Sequence, residues 1–186
     1  MIDTEEEFLK NYDPSKYRHP SVAVDCVVFR GDSVLLVRRG GHPFRGKLAL
    51  PGGFIEEGES AEQAVRRELK EETSLEVKKL CQFGFASTPH RDPRDWNISL
   101  VFTAQYCGGE PKGGDDAADA QFVDITLSGN TLHVGDKKVE LSIKLNECGE
   151  LDFDETLVLE DGVMAFDHAK IIAATLIHAA KCEKHD

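Results

Sequence analysis

The spacing of hydrophobic positions changes period several times along the chain. Val22 to Phe29 is apolar on both faces and rich in β-branched residues, which predicts a buried strand. Val34 to Val37 follows across Gly31-Asp32 and reads as its hairpin partner. A short strand is predicted around Leu48 to Leu50, after which Pro51-Gly52-Gly53 punctuates the chain. From Ala61 to about Thr73 the apolar spacing becomes helical, and Ser60 with Gln63 makes a capping-box pair at its start. Asn97 to Tyr106 predicts a strong strand, Gln121 to Ile125 a weaker one, and Leu132 to Ile143 a hairpin around Gly135-Asp136. Val163 to about Lys181 predicts a second long helix, with Ala165, Ala169, Ile172, Ala173, Leu176 and Ala180 on one stripe. Residues 4–10 predict a short helix, ended by the turn signal at Asn11–Pro14. Residues 108–119 read as an acidic, Gly-rich loop, and residues 144–162 carry no clear period.

Strands, helix, strands, helix is the resulting order. It fits an α/β or α+β sandwich with a mixed sheet better than a doubly wound fold, and neither G-x-G-x-x-G nor a Walker A sequence occurs. At 186 residues the chain is expected to form one domain over 17–186, preceded by an arm at 1–16. A hairpin and loop region at 129–160 is expected as an insertion into it.

Charge narrows the partners. The net charge of −12 argues against a general nucleic-acid binder and against an anionic membrane surface. It leaves phosphate substrates open, because a divalent metal inverts the local sign. Cys26, Cys81, Cys107, Cys148 and Cys182 are far apart and make no C-x-x-C pair. Reduced thiols and a cytoplasmic location are expected. The start, MIDTEEEFLK, lacks a hydrophobic secretory stretch, and the apolar run Ile171 to Ala180 is too short to span a bilayer.

The candidate chemistry lies on the first long helix. Residues 56–76 hold eight of the 18 glutamates. Glu68, Glu71 and Glu72 project within about a 100° arc, beside Val65 and Leu69, so the acidic stripe runs along the side that meets the core. At about 6 Å and an effective dielectric of 20, each pair of such carboxylates repels by roughly 3 kcal/mol. Either one takes a proton or a hard divalent cation such as Mg2+ neutralises the group. Arg67, eight residues after Glu59, can reach back and fix the preceding loop against the helix.

Gly53, Glu59, Arg67, Glu68, Leu69, Glu71, Glu72, Ser74 and Leu75 together resemble the Nudix box, G-x5-E-x7-R-E-U-x-E-E-x-G-U, with U a bulky aliphatic residue. Every charged position fits. Ser74 departs from the family's glycine, which touches the helix C-cap more than the chemistry. The resemblance implies a mixed sheet sandwiched between helices and hydrolysis of a nucleoside diphosphate linked to another moiety. It makes Glu68, Glu71 and Glu72, with the Gly52 carbonyl, the candidate ligands of Mg2+ or, alternatively, Mn2+. It makes Arg67 and Glu59 the structural pair.

Outside the box, Lys47-Leu48-Ala49-Leu50-Pro51-Gly52-Gly53-Phe54, Pro89-His90-Arg91-Asp92-Pro93-Arg94, Gly114-Asp115-Asp116-Ala117 and Ala165-Phe166-Asp167-His168-Ala169 resemble ADP-ribose pyrophosphatases. That branch implies cleavage of ADP-ribose to AMP and ribose 5-phosphate, and commonly a homodimer. Arg91 and Arg94 are candidate phosphate or ribose contacts, against a turn stapled by Asp92 and Asp95. Trp96 is a candidate for stacking on adenine, or for a core or interface role. His90 and His168 are candidates for titration or phosphate binding, against a purely structural role. For a base outside the box the candidates are Glu147, Glu150, Glu155 and Glu160; Glu68 or Glu71 could also serve.

The alternatives are a Nudix hydrolase of an oxidised nucleoside triphosphate or nucleotide sugar, and a non-catalytic ADP-ribose sensor. The Ser-Gln-Pro-Trp-Pro-Phe-Pro-type signature of the NADH-specific branch does not occur. Sensors of this kind often lose box glutamates, and here none is lost. Regulators of that branch carry a DNA-binding domain after the Nudix domain, for which the residues following the last helix leave no room.

Overall fold

The computed structural model describes residues 4–114 and 117–183. Asp115 and Asp116, part of one of the motifs above, lie outside the described residues. The strands are β1 (Ser21–Arg30), β2 (Ser33–Arg39), β3 (Leu48–Ala49), β4 (Gly52–Phe54), β5 (Leu80–Ala86), β6 (Asn97–Gln105), β7 (Ala117–Ser128), β8 (Thr131–Val134), β9 (Lys137–Ser142) and β10 (Leu157–Glu160). The helices are α1 (Glu5–Asn11), α2 (Ala61–Thr73) and α3 (His168–Cys182). They form one mixed sheet in the order β10-β9-β8-β7-β2-β1-β6-β5, with β3 on β2 and β4 on β1. The β1–β6 pair is parallel and the remaining strand pairs are antiparallel.

Alternation along β1 explains the layers. Val24, Cys26 and Val28 face one core, where Ala64, Val65 and Leu69 of α2 pack. Val27 faces the other, with Val34, Leu36 and the Ala169, Ile171, Ile172 and Ala173 positions of α3. Both faces of β1 are therefore covered, as its continuous apolar run requires. Leu132, Val134, Val139 and Leu141 of β8 and β9 join the α3 side of the core. In contrast, α1 carries a complete capping box yet buries none of its residues.

Three elements differ from the sequence reading. β5 was not anticipated; three of its residues are exposed and it bulges between Gln82 and Gly84, so its pattern never alternates cleanly. The loop at 108–119 ends earlier, because Ala117 already pairs with Arg39 and starts β7. α3 starts at His168 instead of Val163. Val163 to Ala165 is held extended by two backbone bonds to Leu48, one from the Leu48 amide to Val163 and one from the Ala165 amide to Leu48. The first two turns of α3 are buried on every side, whereas Ala180 at the end of the expected stripe is exposed. Among the described residues no helix is long and apolar enough to cross a membrane.

Candidate active site

Three backbone segments meet at one cavity of about 240 Å³: the middle of β1, the β4 turn and the residues entering α3. α2 supplies its acidic side. The helix is placed by Ser60 and Gln63, whose reciprocal cap bonds are both present, and by Ser74, which ends it in the left-handed region at φ 60°. A glycine would adopt that conformation without its side-chain penalty.

Arg67 forks between the loop and the helix. Its Nη2 donates to Glu59 Oε1 (2.7 Å) and to the Phe54 carbonyl (3.0 Å), and its Nε donates to Glu59 Oε2 (3.2 Å). Its Nη1 donates to Glu68 (2.7 Å) and Glu71 (3.2 Å). The expected Arg67–Glu59 contact is thus present, and it places the glutamates as well as the loop. Glu59 is held below the usual carboxylate range by its bonds to Arg67 and the Glu56 amide.

Glu68 and Glu72 line the cavity; Glu71 does not, and remains half-exposed against Arg67. Glu72 accepts from the Gly52 amide at 3.0 Å. Burial pushes its carboxyl up to about 8, and Glu68 and Asp25 add to the rise against the opposing Gly52 bond. The two glycines are needed for closeness. A Cβ on Gly52 would lie 2.0 Å from the Val24 carbonyl, and one on Gly53 would lie 2.2 Å from Glu68 Oε1.

Among the described residues no three acidic, histidine or cysteine side chains converge as a preformed ion cage. The Arg67 bonds explain this for Glu68 and Glu71. The donor set still suits a hard divalent cation. Glu68, Glu72 and Asp25 are oxygen donors on one wall of the cavity.

The opposite wall is basic and aromatic. Arg91 is buried and bidentate to Asp167 (2.6 and 2.9 Å), with a further bond to Asn97 (3.1 Å). Arg94 is held by the buried Asp92 carboxylate (2.7 and 3.1 Å) and stands 5.2 Å from the Phe54 ring and 5.4 Å from that of Phe166. Asp92, but not Asp95, therefore staples this turn; Asp95 pairs with Arg18. The Arg39 guanidinium lies 5.0 Å from the Phe166 ring. Phe166 and Phe44 both have positive φ (53° and 63°) and pack edge to face at 4.9 Å. Such conformations carry strain for bulky residues and gather at functional sites.

Asp25 and His168 lie deepest. Asp25 accepts from Ser99 Oγ, and the His168 Nε2 stands 3.4 Å from its other oxygen. Burial drives the imidazole below its usual range and holds it neutral. Sequence reasoning did not single out Asp25, Arg39, Asp92 as a cavity residue, or Asp167. A lone aspartate inside the apolar run of β1 was the available signal for Asp25. Trp96 and His90 do not line the cavity, and neither do Glu147, Glu150, Glu155 and Glu160. Glu150 is paired instead with Lys181 (2.9 Å) and His178 (3.3 Å), which keep its carboxyl low.

Comparison with known proteins shows the family and the fold. A family model described as NUDIX domain matches residues 19–138. The chain is 48% identical over 123 residues to the ADP-ribose pyrophosphatase of Methanocaldococcus jannaschii, covering 64% of this chain and 73% of that one. It is 32% identical over 109 residues to the ADPR responsive transcriptional repressor NtrR of Acinetobacter baylyi, covering 55% of this chain and 44% of that one. It thus spans less than half the length of the repressor. Among solved structures, a MutT/nudix family protein from Enterococcus faecalis superposes with a TM-score of 0.77 at 30% identity, covering 96% of this chain and 70% of that one. The NUDIX domain of Shewanella oneidensis NrtR, complexed with ADP ribose, superposes at 0.69 and 28% identity, covering 95% of this chain and 99% of that one.

Proposed function

The chain belongs to the NUDIX family, and from that premise we propose that it is a Mg2+-dependent pyrophosphohydrolase that cleaves ADP-ribose to AMP and ribose 5-phosphate. The observation that carries the substrate is the 48% identity with the Methanocaldococcus jannaschii ADP-ribose pyrophosphatase over most of that enzyme's length. In this reading Glu68, Glu71 and Glu72, with the Gly52 carbonyl, hold the metal, and Mn2+ substitutes for Mg2+. When bound, the ion neutralises the phosphate oxygens and the leaving group.

The chain's own residues do the rest. Arg67 and Glu59 fix the β4 turn against α2. Arg94, held by Asp92 and facing the open mouth, binds a phosphate oxygen of the diphosphate. Arg91 is committed to Asp167, so its part is to shape that wall and to add positive potential. A cavity of about 240 Å³ is smaller than those that enclose a whole drug-sized ligand, so the substrate extends across the mouth past Phe54 and Phe166. A carboxylate inside the cavity, Glu68, takes the proton of the attacking water. The protein is proposed to act in the cytoplasm, as a homodimer, without nucleic acid or membrane as partner.

A second reading is favoured by the superposition on the ADP-ribose-bound NrtR domain, which covers nearly all of both chains. In it the same cavity binds ADP-ribose without cleaving it. A substrate panel with Mg2+ separates the two: ADP-ribose, diadenosine polyphosphates, nucleotide sugars and 8-oxo-dGTP, scored by phosphate-containing products. Preference for ADP-ribose is expected. Cleavage of another member with ADP-ribose left intact overturns the substrate. No turnover of any, with ADP-ribose raising the melting temperature, establishes the sensor.

A further inference from the structure

One residue ties three parts of this site together without facing the solvent. His168 opens α3 and is buried. Its Nδ1 accepts the Leu50 amide N–H at 2.9 Å. An accepting Nδ1 in a neutral ring leaves the proton on Nε2, which stands 3.4 Å from Asp25 Oδ1 without hydrogen-bond geometry. Asp25 in turn is the register partner of Gly52 across β1 and β4, and the same Asp25 oxygen would meet a Cβ on Gly52 at 3.0 Å. The imidazole therefore holds the Leu50–Gly53 turn at its entrance, through the Leu50 amide, and packs beside Asp25 at its floor.

The surroundings keep the ring in that role. Asp167, Arg91 and Arg39 face it from the α3 entry, the loop before β6 and the end of β2, and Phe166 packs 5.3 Å from it. Arg91 donates to both oxygens of Asp167. Asp25 has Ser99 as its own donor and stays an acceptor.

We propose that His168 is a positioning residue: through its bond from the Leu50 amide it fixes the Gly52–Gly53 turn against α2 and so sets the affinity of the site for a divalent cation. The inference rests on the metal-binding reading of Glu68, Glu71, Glu72 and Gly52 given above. Groups that orient ligands from behind typically change metal affinity by about 10–100-fold when removed. Asparagine at this position can place its Oδ1 near the site of Nδ1 and accept from the Leu50 amide. Leucine cannot.

The test is Mn2+ binding by the whole chain, read from the electron paramagnetic resonance of free Mn2+, for the unsubstituted protein, His168→Leu and His168→Asn. The expected result is a Kd raised about tenfold or more in His168→Leu and largely restored in His168→Asn. No weakening in His168→Leu, or equal weakening in both variants, overturns the proposal. Absence of Mn2+ binding by the unsubstituted protein overturns the metal reading and the proposal with it. Failure of ADP-ribose as substrate leaves these Kd values untouched. Should His168→Leu not fold, nitrogen NMR of the imidazole in the unsubstituted protein decides: an unprotonated Nδ1 and a protonated Nε2 are expected, and a protonated Nδ1 overturns the proposal.

Discussion

The Glu72 carboxylate accepts the Gly52 amide proton across 3.0 Å, joining the acidic side of α2 to the turn that floors the cavity. Two roles meet in that one side chain. It braces the turn as a neutral acceptor would, and it carries charge that burial opposes. Glu72→Gln separates them, since the amide oxygen can still accept while the charge is gone. In the hydrolase reading, kcat falls by two or more orders of magnitude, because the lost metal contact is worth several kcal/mol in the transition state. In a metal-independent sensor, ADP-ribose affinity stays nearly unchanged. Steady-state kinetics and calorimetric binding on the same preparation distinguish the outcomes.

The pH dependence of stability follows from two buried groups of opposite sign. Glu72 titrates near 8 in the folded chain and near 4.5 when unfolded, so between those values the folded state binds the extra proton. Stability from this group is complete below about 4.5 and is lost as pH rises through 8. The loss is on the order of a few kcal/mol. His168 works the other way: its folded value lies below 6.5, so stability falls as pH drops below that. The two windows overlap below about 6.5, where their opposite slopes offset, so metal-free protein in EDTA is expected to melt highest on the mildly acidic side and to lose stability as pH rises from 6.5 through 8. Adding Mg2+ should restore the melting temperature on the alkaline side only.

Arg91 and Asp167 form a bidentate ion pair with both side chains less than a tenth exposed. Removing one partner of such a pair leaves an uncompensated buried charge and typically costs about 3–5 kcal/mol. Asp167→Ala is expected to destabilise the protein by that amount in urea denaturation, with unchanged slope. Arg94→Ala is the contrast. Its own side chain is nearly half exposed, but it is the cation of the buried Asp92 carboxylate, to which the residue-94 amide and Asn97 still donate, so Arg94→Ala should lower the urea midpoint less than Asp167→Ala does and raise KM for ADP-ribose.

The acidic helix was legible because one short segment carries its own spacing. Ser60, Gln63, Arg67 and the three glutamates all act within the 13 residues of α2 and the loop before it. The wall opposite was only half legible. Arg91 and Arg94 were visible as cations beside a strand, and Asp92 as a staple of their turn, but the partner of Arg91 is fixed by tertiary packing. Asp167 reaches Arg91 from 76 positions away, and Asn97 joins Arg91 to Asp92 only once β6 lies beside β1. The start of α3 was misplaced for a similar reason. Val163 to Ala165 has helical apolar spacing, yet its backbone is claimed by Leu48, more than a hundred residues earlier. Local periodicity carries no trace of such a pairing.

Gly52 and Gly53 are adjacent, and their substitution by alanine should fail in different ways. At Gly52 the added Cβ would meet the Val24 carbonyl at 2.0 Å, and that oxygen belongs to the central strand. Backbone on both sides must shift, so Gly52→Ala should disrupt the β1–β4 pairing and lower the melting temperature. At Gly53 the obstacle is the Glu68 carboxylate, 2.2 Å away at the end of a flexible side chain. Glu68 can rotate aside at small cost, so Gly53→Ala should fold with nearly unchanged thermal stability. The displaced carboxylate then leaves the position that Arg67 Nη1 gives it. A displacement of about 1 Å in a catalytic group can cost on the order of 10²-fold. Gly53→Ala should therefore lose kcat by roughly that factor while melting like the original protein. Thermal melts and kinetics on the two variants side by side test the pair. A Gly53→Ala enzyme with full activity would show that the Glu68 carboxylate does not need its place against the turn for turnover.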